Sequence, residues 1–526
     1  MTTPTSGGEG GRMTGALDRA SRALTAAGAA RAPWLVRLGK TLTTARGCFL
    51  FLSLVVLALF LIRALAFPGT GGDDGEQLVF AQYFAVGYFP RNPPLFAWLT
   101  IAAQYVFGVS VTAVAAVKFL AIWGTCAVLF ACGRRMYGDD DAAALAALTP
   151  LGAFLIFWDG VTGLSNSVLV MLPCALTFYA FLRLYETPRA GWYIAFGIFA
   201  GLGFLSKYSY GVFLASLLGA AAFDRTGQAR ILRVESLMAL AAAAAILAPY
   251  VLWFFDKWSV TMAKEATVGM LPSLGFLASA AVGASTPLWL LLPLFFPQAF
   301  RRIAGRPGDT GALRRLLGRH LLAALALFAV VGAVSGLKAR GYYMSVLVLL
   351  PLYVIARVRA AEWRAEAAAL YAVVIAAIPT GAAAALAGQA LLEPFWCRKC
   401  ERHLPYDAWS RHLRAAGFSR GTIVADWWPY PFDGNFKVRF PEARVVTVKH
   451  PYAIAPAGET PGACLLVWGA RQRGPTVIAF ANDRLGAGIP VDTPVRANAA
   501  SIRFTDGRHI AMLYYLLVKD GAGNCR

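Results

Sequence analysis

The sequence predicts a polytopic α-helical membrane protein, with about eleven transmembrane helices and a small C-terminal extracytoplasmic α/β domain. Three observations carry this. Of 526 residues, 58 % are hydrophobic and only 15 % are charged, against roughly 25 % charged in soluble globular chains. Mean hydropathy is +0.57. Apolar runs of membrane-spanning length recur between residues 48 and 391, and from Glu393 onward the pattern becomes that of a soluble domain. These features exclude a soluble enzyme, a disordered chain and a coiled coil.

The elements follow in chain order. Residues 1–47 are rich in Gly, Ala and Arg, including Arg12, Arg19, Arg22, Arg31, Arg37 and Arg46. The segment is too long and too basic for a cleaved secretory signal. It reads as a basic cytoplasmic segment, part surface amphipathic helix and otherwise disordered. The run 48–67 then reads as an uncleaved first span. Further runs lie at 112–133, 142–158, 166–185, 191–206, 209–223, 236–254, 275–298, 321–337, 343–356 and 367–391. The run 93–109 opens on Pro93-Pro94 and is short, so it reads as a helix at the outer interface or re-entering the membrane.

Charge supports that choice. The formal net charge is +21. Its basic residues sit between spans: Arg134-Arg135, then Arg225, Arg230 and Arg233, then the cluster from Arg301 to Arg319, then Arg357, Arg359 and Arg364. With 93–109 left uncrossed, all of these fall on the cytoplasmic side, as the positive-inside rule requires. The N-terminus is then cytoplasmic and the C-terminal domain lies outside a bacterial-type inner membrane. The rule accounts for the basic excess, so no nucleic-acid partner is implied.

The expected domains are the basic segment 1–47, a membrane domain 48–392 with its first outer loop at 68–111, and a soluble domain 393–526. In the last, 407–417 reads as an amphipathic helix and 421–426, 443–448 and 463–469 as strands. Cys48, Cys126, Cys132 and Cys174 lie in or beside spans and read as packing residues. Cys397, Cys400, Cys464 and Cys525 all fall in the outer domain, which predicts disulfides. Four cysteines allow three pairings. Cys397–Cys400 with Cys464–Cys525 is the simplest, and the sequence does not choose among them. The Cys397–Cys400 spacing alone does not make a zinc site, which needs four ligands.

The first outer loop carries the chemistry. Asp73, Asp74 and Glu76 follow the first span at once. Aromatic residues then run to Tyr88-Phe89-Pro90-Arg91-Asn92-Pro93-Pro94. Carboxylates held at a membrane face are costly to desolvate and mark candidate sites. The bland alternative is a solvated acidic loop.

This stretch resembles the first outer loop of the GT-C membrane glycosyltransferases of family 39, which include bacterial relatives of protein O-mannosyltransferase and the lipid A aminoarabinose transferase. Asp73-Asp74 takes the place of that group's Asp-Glu pair, and Pro93-Pro94-Leu95-Phe96-Ala97-Trp98-Leu99 matches its Pro-Pro-Leu segment. The likeness continues through Arg134–Gly138, Gly201–Tyr208, Pro249–Trp253, Gly336–Tyr342, Ala415–Phe418 and Gly434–Val445. It departs at three places, one of them a residue inserted before Pro93. The second acid of the pair is Asp rather than Glu. Where the family carries a further acid before span four, this chain has Leu164-Ser165-Asn166-Ser167. Asn166 can position a hydroxyl but cannot take its proton, and Asp159 stands a few residues earlier.

The resemblance implies a GT-C fold and a glycosyltransferase. It would move a sugar from a polyprenyl-phosphate donor to a lipid, glycan or protein acceptor at the outer membrane face. Asp73 is the expected base. Asp74, Glu76, Asp159 and Asn166 are candidates to orient the acceptor or hold a divalent ion, and no pattern selects a metal or other cofactor. Lys207, Lys338, Arg340 and Tyr342 are candidates for the donor phosphate. Lys338 and Arg340 sit at an outer span end, against the positive-inside trend. The rival class is a transporter or flippase of lipid-linked glycans. It would need charges along a path through the spans, and here only Arg63, Lys118 and Lys207 depart from span ends.

Overall fold

A computed structural model describes residues 8–90, 92–257, 269–300, 309–335, 342–397, 400–457, 462–490, 492–505, 507–518 and 525. Each of the apolar runs carries helix. Among the described residues, seven helices are long and apolar enough to cross a membrane, from Ala45–Ala66 to Ala365–Phe395. The bent pair Met270–Ser285 and Leu288–Phe295 brings the number to eight, and Leu95–Phe107, Ala190–Ser206 and Tyr210–Ala222 are shorter apolar helices. The run expected at 142–158 is broken. Helix Asp140–Leu148 tightens into a 3-10 turn at Pro150 and then widens into a π-helical segment, Leu155–Gly160. Proline cannot donate the next helical hydrogen bond, so the regular ladder stops there.

The leader differs from expectation. It is helical over Gly8–Arg31 and Pro33–Leu42. Ser21 and Thr25 are buried, and Arg22 meets Glu362 at 3.1 Å. Gly39 lies against the Ala369 backbone with no room for a Cβ. Packing on the bundle, rather than amphipathicity alone, holds this segment.

The C-terminal domain is a five-stranded mixed sheet: β1 Gly421–Ala425, β2 Arg444–Thr447, β3 Ala463–Trp468, β4 Arg496–Ser501 and β5 Ile510–Val518, in the order β2-β1-β3-β5-β4. β2, β1 and β3 are parallel, with Val424 opposite Val446 and Ile423 opposite Leu465. β5 runs antiparallel to β3 and β4 antiparallel to β5. Alternate residues face opposite ways. Ile423, Ala425 and Leu465 pack with helices Tyr406–Ala415 and Phe432–Arg439, and Val424, Val446 and Leu466 pack with helix Gly474–Leu485. Disulfides join Cys397 to Cys400 and Cys464 to Cys525.

The domain is clamped to the first outer loop. Asn435 accepts from the Thr70 amide at 2.8 Å and donates to the Thr70 carbonyl at 2.9 Å. Gln82 makes the same two-way pairing with the Val445 backbone at the β2 edge, at 2.8 and 2.7 Å. Gly434 lies against Gly75, where an added Cβ would sit 2.2 Å from a backbone oxygen.

Candidate active site

The three outer-loop carboxylates lie on one short helix, Gly72–Phe80, with Asp73 and Asp74 in its first turn. Negative charge there complements the helix dipole. Their fates differ. Asp74 is buried and points into the bundle. Its Oδ1 accepts from Lys118 Nζ at 2.6 Å and Ser165 Oγ at 2.7 Å, and its Oδ2 lies 3.5 Å from Arg63 Nη2. Arg63 and Lys118 come from the spans Ala45–Ala66 and Val111–Tyr137 and are themselves buried. Burial opposes the Asp74 charge, but Lys118 and then Arg63 outweigh it and hold its pKa below the usual carboxylate range.

Glu76 points the other way, to the C-terminal domain. It contacts His450 Nε2 and lies 3.7 Å from Lys449 Nζ. Burial opposes its charge as well, and His450 and Lys449 hold its pKa down. The Lys449 ammonium is itself held above its ordinary pKa against burial, first by Glu76 and then by Asp433 and Asp73.

Asp73 sits between these two anchored neighbours. Its surroundings desolvate it, and the Glu76 carboxylate adds to that, so its pKa is raised, with Lys207 and Lys449 pulling the other way. Of the three outer-loop carboxylates it is the one whose pKa is raised.

Lys207 follows helix Ala190–Ser206 at the turn into Tyr210–Ala222. It donates to Ser167 Oγ and lies over the Tyr342 ring, 4.7 Å from its centroid. The neighbouring Tyr208 hydroxyl donates to the Pro90 carbonyl and shares a 2.6 Å hydrogen bond with Tyr250. Asp73, Lys207 and Tyr342 are thus brought to one end of the bundle.

The other sequence candidates fall as follows. Asn166 is buried on helix Ser165–Leu169, and among the described residues its Oδ1 has no hydrogen-bond partner. Its neighbours Ser165 and Ser167 make the contacts to Asp74 and Lys207. Asp159 is half-buried on the π-helical segment. Lys338 and Arg340 lie outside the described residues. Among the described residues no group of three His, Cys, Asp or Glu side chains converges. Of the four candidates for the acceptor or a divalent ion, Asp74 and Glu76 are engaged by Lys, Arg, Ser and His partners. Sequence reasoning missed Ser165, Ser167, Lys449 and His450. Arg63 and Lys118 carried a signal, a charge inside a span, but not their partner.

Residues 91–253 match the family model described as dolichyl-phosphate-mannose-protein mannosyltransferase. The chain is 25 % identical over 445 residues to the lipopolysaccharide core galacturonosyltransferase RgtB of Rhizobium johnstonii, covering 80 % of this chain and 88 % of that one. It is 23 % identical over 462 residues to RgtA of the same organism, covering 84 % and 89 %. Its fold matches the crystal structure of ArnT from Cupriavidus metallidurans bound to undecaprenyl phosphate, with a TM-score of 0.60 at 13 % identity over 88 % of this chain and 97 % of that one.

Fold and homology define a membrane glycosyltransferase of the GT-C type. The chain has that fold, with a polytopic helical domain and a small C-terminal sheet domain, it is a membrane glycosyltransferase similar to the GT-C enzymes, and the relatives it matches are lipopolysaccharide core galacturonosyltransferases. The flippase alternative is not favoured.

Proposed function

We propose that the enzyme takes its sugar from a polyprenyl-phosphate donor and passes it to a lipopolysaccharide-type glycolipid at the outer face of the cytoplasmic membrane. The orientation rests on the Arg distribution, with residues 1–47 inside and 393–526 outside. The lipid-linked donor is supported by the undecaprenyl phosphate bound in the ArnT structure. The acceptor class is supported by the lipopolysaccharide-core relatives, which also make galacturonic acid the first sugar to test. The observation that carries the reading is that Asp73, with its raised pKa, feels the charge of Lys207, whose ammonium lies over the Tyr342 ring.

In the reaction, the acceptor hydroxyl attacks the anomeric carbon of the donor. The bond from that carbon to the phosphate oxygen breaks, and polyprenyl phosphate leaves with the electron pair. Asp73 takes the hydroxyl proton. The leaving phosphate is already ionised and needs no acid. It needs positive charge as its own charge develops, and Lys207 supplies it, with Lys338 and Arg340 as further candidates from the sequence. Asp74 and Glu76 fix the helix that presents Asp73.

Asp73→Asn keeps the shape and removes the proton acceptor. Purified in detergent and given a polyprenyl-phosphate sugar with core glycolipid, the variant is expected to lose on the order of 10²-fold or more in turnover while retaining donor binding. Wild-type turnover in a folded variant overturns the role of Asp73. Wild-type enzyme that transfers no sugar from any polyprenyl phosphate overturns the donor class.

A further inference from the structure

The C-terminal domain carries a second feature that the transfer reaction does not use. The chain passes from β1 to β2 on one side of β1 and then crosses to β3 on the other. Connections leave β1 and β3 for opposite faces of the sheet, through helices Phe432–Arg439 and Gly474–Leu485. In open α/β sheets, ligands bind outside the carboxyl ends of the strands at such a reversal. Three loops leave that edge. After β1 come Asp426, Trp427 and Trp428. After β2 come Val448, Lys449 and His450. After β3 come Gly469, Ala470 and Arg471.

The edge is built and held. Asp426 is fully buried and takes both nitrogens of Arg473, at 2.7 and 2.8 Å, which ties the loop after β1 to the one after β3. Above that clamp, Trp427 and Trp428 expose 41 % and 45 % of their surface. Two adjacent tryptophans, partly exposed on a loop tied down by that clamp, need a reason to face solvent. Lys449 lies 5.8 Å from the centre of the Trp427 ring, and Arg471 is exposed on the neighbouring loop. Aromatic faces flanked by cations suit a saccharide that bears phosphate or carboxylate groups. The rings cover the apolar faces of sugar rings, and the cations meet the anions.

Position completes the argument. Lys449 is also the residue that reaches Glu76, one helical turn from Asp73. The aromatic edge is therefore continuous with the reaction centre.

We propose that Trp427, Trp428, Lys449 and Arg471, at the carboxyl edge of the C-terminal sheet, bind the anionic saccharide of the acceptor and present its hydroxyl to Asp73. This rests on the glycosyl-transfer reading above and names the element that selects its acceptor.

The test separates the two claims. Binding of deacylated, phosphorylated lipopolysaccharide core oligosaccharide to the full-length protein in detergent is measured without donor, so it does not require transfer. The expected result is saturable binding that weakens with salt, and none for a neutral maltooligosaccharide. Trp427→Ala with Trp428→Ala is expected to weaken binding about tenfold and to raise acceptor KM similarly, with kcat and donor KM little changed. Arg471→Gln, at an exposed position, is expected to weaken binding of the phosphorylated oligosaccharide more than of the dephosphorylated one. Unchanged binding and acceptor KM in both variants, at unchanged thermal stability, overturns the proposal. So does a rise in donor KM alone, which would mean that the edge reads the donor sugar. Core oligosaccharide that binds while no transfer occurs leaves the saccharide-binding claim standing and sinks the transfer reading, and with it the presentation of a hydroxyl to Asp73.

Discussion

The two sides of helix Gly72–Phe80 each hold a carboxylate as a fixed anion, and the carboxylate between them is in the opposite state. The side that faces the bundle holds Asp74 between Lys118, Ser165 and Arg63. The side that faces the C-terminal domain holds Glu76 against Lys449 and His450. Asp73, between them, carries the raised pKa. Asp73 and Asp74 are adjacent in sequence. Hydrogen bonds and charges decide which is a fixed anion and which can take a proton. A site of this kind needs both sorts, because a base is useful only when its helix cannot move.

The comparison breaks most sharply at Asp74. Asp74→Asn removes the carboxylate that the buried Arg63 and Lys118 both contact. Removing one partner of a buried ion pair costs about 3–5 kcal/mol, a large part of a typical folding free energy of about 5–15 kcal/mol. The expected outcome is severe loss of folded protein on size-exclusion chromatography and loss of all activity. The sequence alone points to a milder effect than at Asp73, and the burial of Arg63 and Lys118 reverses that order for stability. Adding Lys118→Met should recover part of the folded yield, since apolar replacement removes one stranded charge. A stable Asp74→Asn protein would show that the ion cluster does not hold the helix. The lowered pKa fixes the acid side too. The stability that Asp74 contributes is complete above its unfolded pKa and is lost only as pH falls through its depressed folded value.

The other side of the helix is sharpened by pH. Asp73 must be ionised to take a proton, and its pKa is raised first by burial and then by Glu76. The acid limb of kcat/KM is expected above the usual carboxylate range. Glu76→Gln removes the like charge and frees Lys449 to act on Asp73. Both changes favour the ionised form, so the limb should move to lower pH. Kinetics of the variant from pH 4 to 8, on protein of unchanged thermal stability, check this. A limb that stays in place would assign it to another group.

Much of this architecture was legible. Apolar runs of about 20 residues point to spans by length, though 142–158 is broken and three of the runs make shorter helices, and the apolar centres of β1, β2 and β3 stood out against a polar background. β4, Arg-Ala-Asn-Ala-Ala-Ser, has no hydrophobic alternation, so only its pairing with β5 makes it a strand. The leader helices owe their order to packing on Ala369 and Glu362, hundreds of residues away in sequence. The site divides in the same manner. Asp73 and Lys207 were visible as charges beside apolar runs. Lys449 and His450 were not, because nothing local marks a β2 loop that reaches back to residue 76. Glu76–His450 and Thr70–Asn435 are contacts made by the fold, and a reading by windows cannot find them.

The smallest expected effect tests whether the two domains act as one body. Gln82 pairs its side-chain amide with both backbone groups of Val445, as a neighbouring strand would. It thereby covers part of the open β2 edge. Gln82→Ala removes both hydrogen bonds to Val445 and a third to the Val79 carbonyl, in a half-exposed place where water replaces much of what is lost. Each such bond contributes about 0.5–1.5 kcal/mol net, so the expected cost is about 1–2 kcal/mol. Asn435 and the Gly75–Gly434 contact remain, so the clamp should loosen without opening. Limited proteolysis of the loop between Phe80 and Pro93 should quicken modestly, and acceptor KM should rise more than donor KM, because Lys449 lies two residues beyond the end of β2. Equal rises in both KM values would mean that the outer loop, and not the seating of the C-terminal domain, feels the loss.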